Sequence, residues 1–181
     1  MDIYKLKWTR LQNEVFRLLC VKAGKSLNQR EIAEILKVSP TAVSKSLFLL
    51  EKEEVIRINK DRKINLNLVE LNLDNPKVIE LKRVENLKMI YESGLIESLE
   101  EKFPGTVIIL FGSYSYGEDT LKSDIDIAVI GAKEKEINLE KFEKLLEKKI
   151  RINFYGSFKE IHKSLKENLF NGLLLKGGIE L

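Results

Sequence analysis

The first third of the chain changes from helical to strand-like patterns of apolar residues. Apolar side chains recur at helical spacing over residues 5–22, and Gly24 marks the end of that helix. Asn28, with a glutamate three residues later, predicts a capping box at the start of a second helix. A Ser-Pro step at Ser39 predicts the start of a third helix after a short break. The pattern therefore predicts three helices, the last two joined by a tight turn.

A β-hairpin is predicted directly after the third helix. Residues 55–58 and 64–68 are apolar or alternate with period two, and a polar, basic turn separates them. Three helices followed by a hairpin resemble the winged helix-turn-helix regulators. This resemblance implies DNA binding, usually as a homodimer on paired half-sites, although winged helices also serve as protein-docking modules. The residues expected to meet DNA are on the third helix and at the wing tip: Thr41, Ser44, Lys45, Lys60, Arg62 and Lys63.

The rest of the chain interleaves helices and strands. A charged amphipathic helix is predicted over residues 76–92 and a shorter one through Phe103, with further helices at 137–149 and 158–170. Strands are predicted at Thr106–Phe111, Ile125–Ile130 and Ile150–Tyr155. The inner side of the long helix is expected to carry Val78, Leu81, Val84, Leu87 and Ile90. We predict an α+β fold with a winged helix-turn-helix at 1–70, a helical linker at 71–103 and a second domain at 104–181.

Charge and composition add a little to this picture. Residues 1–70 carry 14 Lys and Arg against 9 Asp and Glu, whereas residues 71–181 carry 17 against 19. A basic first third suits a nucleic-acid-binding module. The single cysteine, Cys20, excludes an intrachain disulfide and is expected to be a small buried residue. We see neither a signal peptide nor a membrane-spanning segment, so a cytoplasmic protein without a membrane partner is expected.

The candidate chemistry lies between the first two strands of the second domain. The first strand ends in Gly112-Ser113, a turn whose backbone N–H groups and hydroxyl could hold a phosphate. Asp124 and Asp126 open the next strand, and alternation places both on the same face. Adjacent carboxylates repel each other, and a divalent cation between them removes the repulsion. Oxygen ligands of this kind suit Mg²⁺ or Mn²⁺.

Phe-Gly-Ser, ten residues and then Asp-Ile-Asp form a pattern similar to the motif of the nucleotidyltransferase superfamily. The resemblance is closest to the minimal nucleotidyltransferases of bacteria and archaea, some of which act as antitoxins, and it covers residues 104–181. It implies a small mixed sheet with flanking helices and transfer of a nucleoside monophosphate from a nucleoside triphosphate to an acceptor hydroxyl. By this resemblance Asp124 and Asp126 are catalytic and hold two metals. The nucleotide would be held by Gly112, Ser113, Tyr116 and Ser123.

Two residues depart from that family's pattern. Relatives supply a third carboxylate from a later strand, whereas the outward face of the strand at 150–155 carries Arg151, Asn153 and Tyr155. We expect Asn153 to be the counterpart and a weak metal ligand, with Glu160 as a distant substitute. Many relatives also have an arginine before the glycine, where this chain has Tyr116. Both changes weaken catalysis more than nucleotide binding.

Two functions therefore stay open. In the first, the chain is a Mg-dependent nucleotidyltransferase acting on a protein, a nucleic acid such as RNA, or a small acceptor. In the second, it is a winged-helix transcriptional regulator whose transferase-like domain senses nucleotide or acts as a scaffold without turnover. Two other candidates are weaker. His162, the sole histidine, is expected to have a surface or packing role, and the glycine-containing tail at 171–178 is expected to form a turn or strand.

Overall fold

The computed structural model describes residues 8–61 and 65–179. The chain divides into two compact units, Met1–Val78 and Ile79–Leu181. The α+β fold class is confirmed, because each unit combines helices with a small sheet. None of the helices in the described part of the chain is long and apolar enough to cross a membrane.

The first unit has the predicted three helices and hairpin. A Thr9 capping box begins the first helix, and the predicted Asn28 capping box and Ser39 cap begin the other two. A short strand pairs with the hairpin to complete a three-stranded antiparallel sheet. Its core contains Cys20, which is fully buried as expected. The elements are α1 (Arg10–Val21), β1 (Leu27–Asn28), α2 (Gln29–Leu36), α3 (Pro40–Lys52), β2 (Ile56–Asp61) and β3 (Leu66–Leu71).

The second unit is built on a four-stranded mixed sheet. Its elements are α4 (Pro76–Glu92, which begins in the first unit), α5 (Leu95–Lys102), β4 (Val107–Phe111), α6 (Ser113–Tyr116), β5 (Ile125–Ile130), α7 (Glu140–Leu146), β6 (Ile150–Tyr155), a 3₁₀ turn (Phe158–Glu160), α8 (Lys163–Phe170) and β7 (Leu173–Lys176). The strand order is β6-β5-β4-β7, in which only β5 and β6 run parallel. The three predicted strands are therefore confirmed, and the tail forms a fourth strand.

Two predicted helices are shorter than expected. The segment at 137–149 is helical only over α7, and the segment at 158–170 is divided into the 3₁₀ turn and α8. The division falls at Ile161, whose extended backbone lets its side chain enter the core beside Ile109 and Ile130. The helix is interrupted there because an extended backbone at Ile161 allows its side chain to be buried.

The inner face of α4 differs from the predicted one. Val84 was expected inside, but its side chain is 65% exposed. Lys82 and Asn86 are fully buried instead. Both donate hydrogen bonds to Asp119. A charged side chain such as that of Lys82 can be buried in a core only when an opposite charge or hydrogen-bond partner lies beside it. The prediction that Val84 faces inward is therefore wrong. It failed because the spacing of apolar residues contains no information about buried polar contacts.

Candidate functional site

Asp124 and Asp126 lie at the start of β5, beside the turn that follows β4. Antiparallel pairing sets Asp126 opposite Phe111, the last residue of β4. Gly112 follows with a φ of 74°, which favours glycine, and a Cβ there would lie 3.0 Å from Asp126 Oδ2. The Gly-Ser turn and the aspartates are therefore brought together, as predicted. Glycine at position 112 leaves the space that the carboxylate occupies.

Arg151 joins these aspartates from the neighbouring strand. Parallel pairing of β5 and β6 sets Arg151 opposite Asp126. Its Nη2 donates to Asp124 Oδ2 at 2.6 Å. The Arg151 side chain is 70% exposed and that of Asp124 is 24% exposed, so the pair lies at the surface end of the site. The guanidinium stands beside the carboxylate pair, where one positive charge relieves the repulsion between them.

Asn153 lies two residues along β6 from the position opposite Asp126. The register sets it opposite Ala128, two residues beyond the Asp126–Arg151 pair. Asp124 and Asp126 are likewise two residues apart along a strand, so this spacing does not exclude a shared metal ion. As a metal ligand, Asn153 stays a prediction. The more distant Glu160 accepts a hydrogen bond from the Gly156 N–H at 3.0 Å.

The residues at this site do not fit the metal centre that the resemblance implies. Two carboxylates are accompanied by the guanidinium of Arg151 and, on the same strand, by the uncharged amide of Asn153. Within residues 8–61 and 65–179, no group of three or more His, Cys, Asp or Glu side chains is placed to hold a metal ion. A cationic neighbour opposes a divalent ion, whereas an anionic ligand would attract it.

Burial is the main influence on the Asp126 carboxyl. It raises the pKa of Asp126 above the usual value of 3.8, because the ionised form loses solvation. Arg151 lowers the pKa in opposition, and the nearby Asp124 raises it further. Asp126 thus carries its charge at a cost in solvation, which the nearby Arg151 partly offsets.

Asp126→Asn is expected to stabilise the protein at neutral pH. A carboxyl whose folded pKa is raised binds its proton more tightly in the folded state than in the unfolded state. Its contribution therefore falls as pH rises from the unfolded value near 3.8 through the folded value. Thermal unfolding at pH 7 should show a higher Tm for Asp126→Asn than for the wild type. Asp124→Asn should lower the Tm slightly, since it loses the Arg151 pair, and equal shifts for both variants would contradict this account.

The remaining predicted nucleotide contacts differ in how they are held. Ser113 begins the single-turn α6, and its carbonyl accepts from the Glu118 N–H at 3.0 Å. The hydroxyl of Ser123 accepts from the Thr120 N–H at 3.0 Å, so Ser123 closes a local turn. Tyr116 is half-buried at the end of α6. Nucleotide binding by these three residues stays a prediction.

A buried charge cluster, which we call the Asp119 cluster, lies under the loop that leads to Asp124. The cluster consists of Asp119 with Lys82, Asn86 and Lys148. Lys82 Nζ and Asn86 Nδ2 donate to Asp119 Oδ1, the latter at 2.7 Å, and Lys148 Nζ lies 3.0 Å from Asp119 Oδ2. Lys148 also donates to the Thr120 carbonyl at 2.5 Å. These bonds hold the loop from α4 and from the turn between α7 and β6, a role that sequence patterns did not suggest.

The third helix of the first unit presents the predicted DNA-contacting residues to solvent. Thr41, Ser44 and Lys45 are exposed on α3, while Val43 and Leu47 on its opposite side are buried. Lys60 is exposed near the end of β2. Arg62 and Lys63 lie outside the described residues. The exposed surface of α3 is therefore polar at the three predicted positions, and it continues into the exposed apolar side chains of Phe48 and Leu49.

Two family models match the chain in separate regions. Residues 92–175 match the nucleotidyltransferase domain, and residues 18–57 match the winged helix-turn-helix DNA-binding domain. The first match contains Gly112, Asp124, Asp126 and Arg151, and the second contains α2 and α3. A comparison with curated protein sequences finds no match.

Several solved structures of bacterial proteins, two of them in complex with DNA, are similar to part of the chain. Lactococcus lactis ZitR in complex with DNA is 24% identical, with 57% of this chain and 67% of that one covered and a TM-score of 0.42. The S. aureus MepR–DNA complex is 21% identical, covering 52% and 77%, with a TM-score of 0.39. AdcR from Streptococcus pyogenes is 24% identical, covering 54% and 69%, with a TM-score of 0.41.

Proposed function

The chain carries a winged helix-turn-helix DNA-binding domain and a nucleotidyltransferase domain, and we propose that it is a DNA-binding regulator whose transferase domain does not transfer nucleotides. The observation that carries the proposal is the ion pair between Arg151 and Asp124 beside Asp126. A cationic side chain of the chain lies beside the two carboxylates that would bind a divalent metal in transfer chemistry. The domain then acts as a scaffold or as a nucleotide sensor.

Charge balance supports this proposal. With Asp124 and Asp126 ionised, the three side chains carry one net negative charge, against three for a trio of carboxylates. Metal-assisted phosphoryl transfer requires Mg²⁺ or Mn²⁺ to neutralise charge on the transferring group. The Asp-Arg pair weakens the attraction for such an ion, so the loss of transfer follows from electrostatics as well as from ligand number.

Metal-dependent nucleotidyl transfer is the competing function. The observation that favours it is the retained Asp124–Asp126 pair beside the Gly112 turn, which would suit a phosphate and a metal in a relative with a third acid. In that case Asp124 and Asp126 would hold Mg²⁺ or Mn²⁺, and Ser113 would approach the triphosphate. The acceptor would be a protein, an RNA or a small molecule.

A transfer assay separates the two functions. Each labelled nucleoside triphosphate (ATP, GTP, CTP or UTP) is incubated with the full chain and Mg²⁺ or Mn²⁺, and self-labelling and pyrophosphate release are measured. We expect no signal above that of an Asp124→Asn, Asp126→Asn double variant. Turnover that the double variant loses would establish the competing function instead. A parallel measurement of nucleotide binding distinguishes a sensor from a scaffold.

DNA binding is expected to depend on salt through the exposed lysines of the first unit. Each lysine that neutralises a phosphate releases about one counterion, so Lys45→Ala and Lys60→Ala should each reduce the slope of log K against log salt by about 0.9. Lys133→Ala, an exposed lysine of the second unit, is the matched control and should leave the slope unchanged. Fluorescence anisotropy on a DNA duplex at several salt concentrations measures these slopes. Equal slopes in all four proteins would remove these lysines from the interface.

A further inference from the structure

An open cavity lies at the end of the sheet opposite to Asp124 and Asp126. Its floor includes Val107 and Ile130, which are paired on β4 and β5. Asp126 pairs instead with Phe111, four residues away along β4, or about 13 Å. The cavity has a volume of about 740 Å³, within the range that holds a small organic ligand. It is therefore distinct from the aspartate site.

Aromatic side chains form one wall of this cavity. Phe158 and Phe170 stack with their centroids 5.8 Å apart and their planes 13° from parallel. Phe170 remains 48% exposed, although it follows the well-buried Leu169 at the end of α8. Ile179 lies on the cavity's edge and packs against the sheet core. A flat apolar surface of this kind is left open to a ligand with an apolar body.

Two lysines, Lys159 and Lys166, are among the described residues that line the cavity. The carboxylate of Glu160 is not among them, although it accepts a hydrogen bond from the N–H of the lining residue Gly156 at 3.0 Å. Two lysines beside apolar lining residues complement a molecule that has an apolar body and an anionic head.

Glycines make up a third of the residues that line the cavity. They are Gly105, Gly131, Gly156 and Gly178. A Cβ at Gly178 would meet nothing within 4 Å, and Gly178 does not have a positive φ. A larger side chain can therefore be introduced at this lining position without straining the backbone.

We propose that this cavity binds a small organic acid with a planar apolar body. The body would lie against Phe158 and Phe170, and the acid group would meet Lys159 or Lys166. This ligand differs in class from the nucleotide and metal ion considered for the aspartate site. The proposal does not depend on whether the transferase domain is active.

The test uses 8-anilinonaphthalene-1-sulfonate, an aromatic anion that fluoresces in apolar surroundings, titrated into the full chain. We expect saturable binding of one probe per chain. Gly178→Leu should weaken binding at least about 10-fold by filling the cavity, and Lys166→Glu should weaken it by a similar factor. The uncharged probe N-phenyl-1-naphthylamine should bind more weakly to the wild type and should lose nothing in Lys166→Glu.

Leu174→Ala is the matched control, because Leu174 is an exposed apolar residue that does not line the cavity. Circular dichroism checks that each variant is folded, and Phe170→Ala replaces Gly178→Leu if the latter does not fold. The proposal is overturned if probe affinity is unchanged both in the cavity variant (Gly178→Leu or Phe170→Ala) and in Lys166→Glu. It is also overturned if Leu174→Ala weakens probe binding as much as these variants do. Absence of any saturable binding, as expected if a segment of the chain fills the cavity, would overturn it too.

Discussion

Asp119→Asn is expected to lower the free energy of unfolding by about 3–5 kcal/mol, the largest stability effect that we predict. The carboxylate is fully buried and is paired with the ammonium groups of Lys82 and Lys148. Its neutralisation removes the negative charge that both buried ammonium groups contact, and a neutral amide does not replace that charge. Urea denaturation followed by circular dichroism measures the change.

Asp124→Asn provides the matched control for that measurement. It also removes one carboxylate from an ion pair, but its partner Arg151 is 70% exposed. Exposed pairs contribute about 0–1 kcal/mol, so this variant should lose no more than that. A similar loss in both variants would show that burial of the Asp119 cluster does not determine its contribution.

Arg151→Asp is expected to increase affinity for Mn²⁺ at least about 10-fold. The substitution exchanges a positive charge for a third carboxylate directly opposite Asp126. In water, two unit charges 4 Å apart interact by about 1 kcal/mol, and here a divalent ion experiences a change of two unit charges. Screening by solvent and salt at the exposed end of the site reduces the gain in binding energy. A gain of about 1.4 kcal/mol is nevertheless enough for a tenfold increase in affinity for Mn²⁺.

Isothermal titration calorimetry with Mn²⁺ measures the affinity of each variant. Arg151→Gln removes the positive charge without adding a ligand, so its affinity should fall between those of the wild type and Arg151→Asp. Arg151→Asp that binds Mn²⁺ no more tightly than the wild type would mean that the guanidinium does not govern metal binding.

Local signals in the sequence predicted much of both units. The Asn28 and Ser39 caps located α2 and α3, and a short apolar run located β5, because caps and apolar runs are set by neighbours in sequence. The inner face of α4 was predicted less well. Lys82 and Asn86 are buried through contacts with Asp119, more than 30 residues away, and periodicity contains no information about such contacts.

The role of Arg151 also depended on pairing between strands. Alternation along β6 correctly placed Arg151 and Asn153 on one face, but it could not decide which of them lies beside Asp126. That choice is set by the register between two parallel strands joined by a crossover of about 20 residues. The register sets Arg151 opposite Asp126, so the side chain beside the two carboxylates is positively charged.

A crystal structure of the wild-type chain soaked with Mn²⁺ and a non-hydrolysable nucleoside triphosphate tests the central claim most directly. We predict that Arg151 Nη2 remains bonded to Asp124 Oδ2 and that the anomalous map shows no manganese between Asp124 and Asp126. A manganese ion bound to both carboxylates, with Arg151 displaced, would contradict the proposal and favour metal-dependent nucleotidyl transfer.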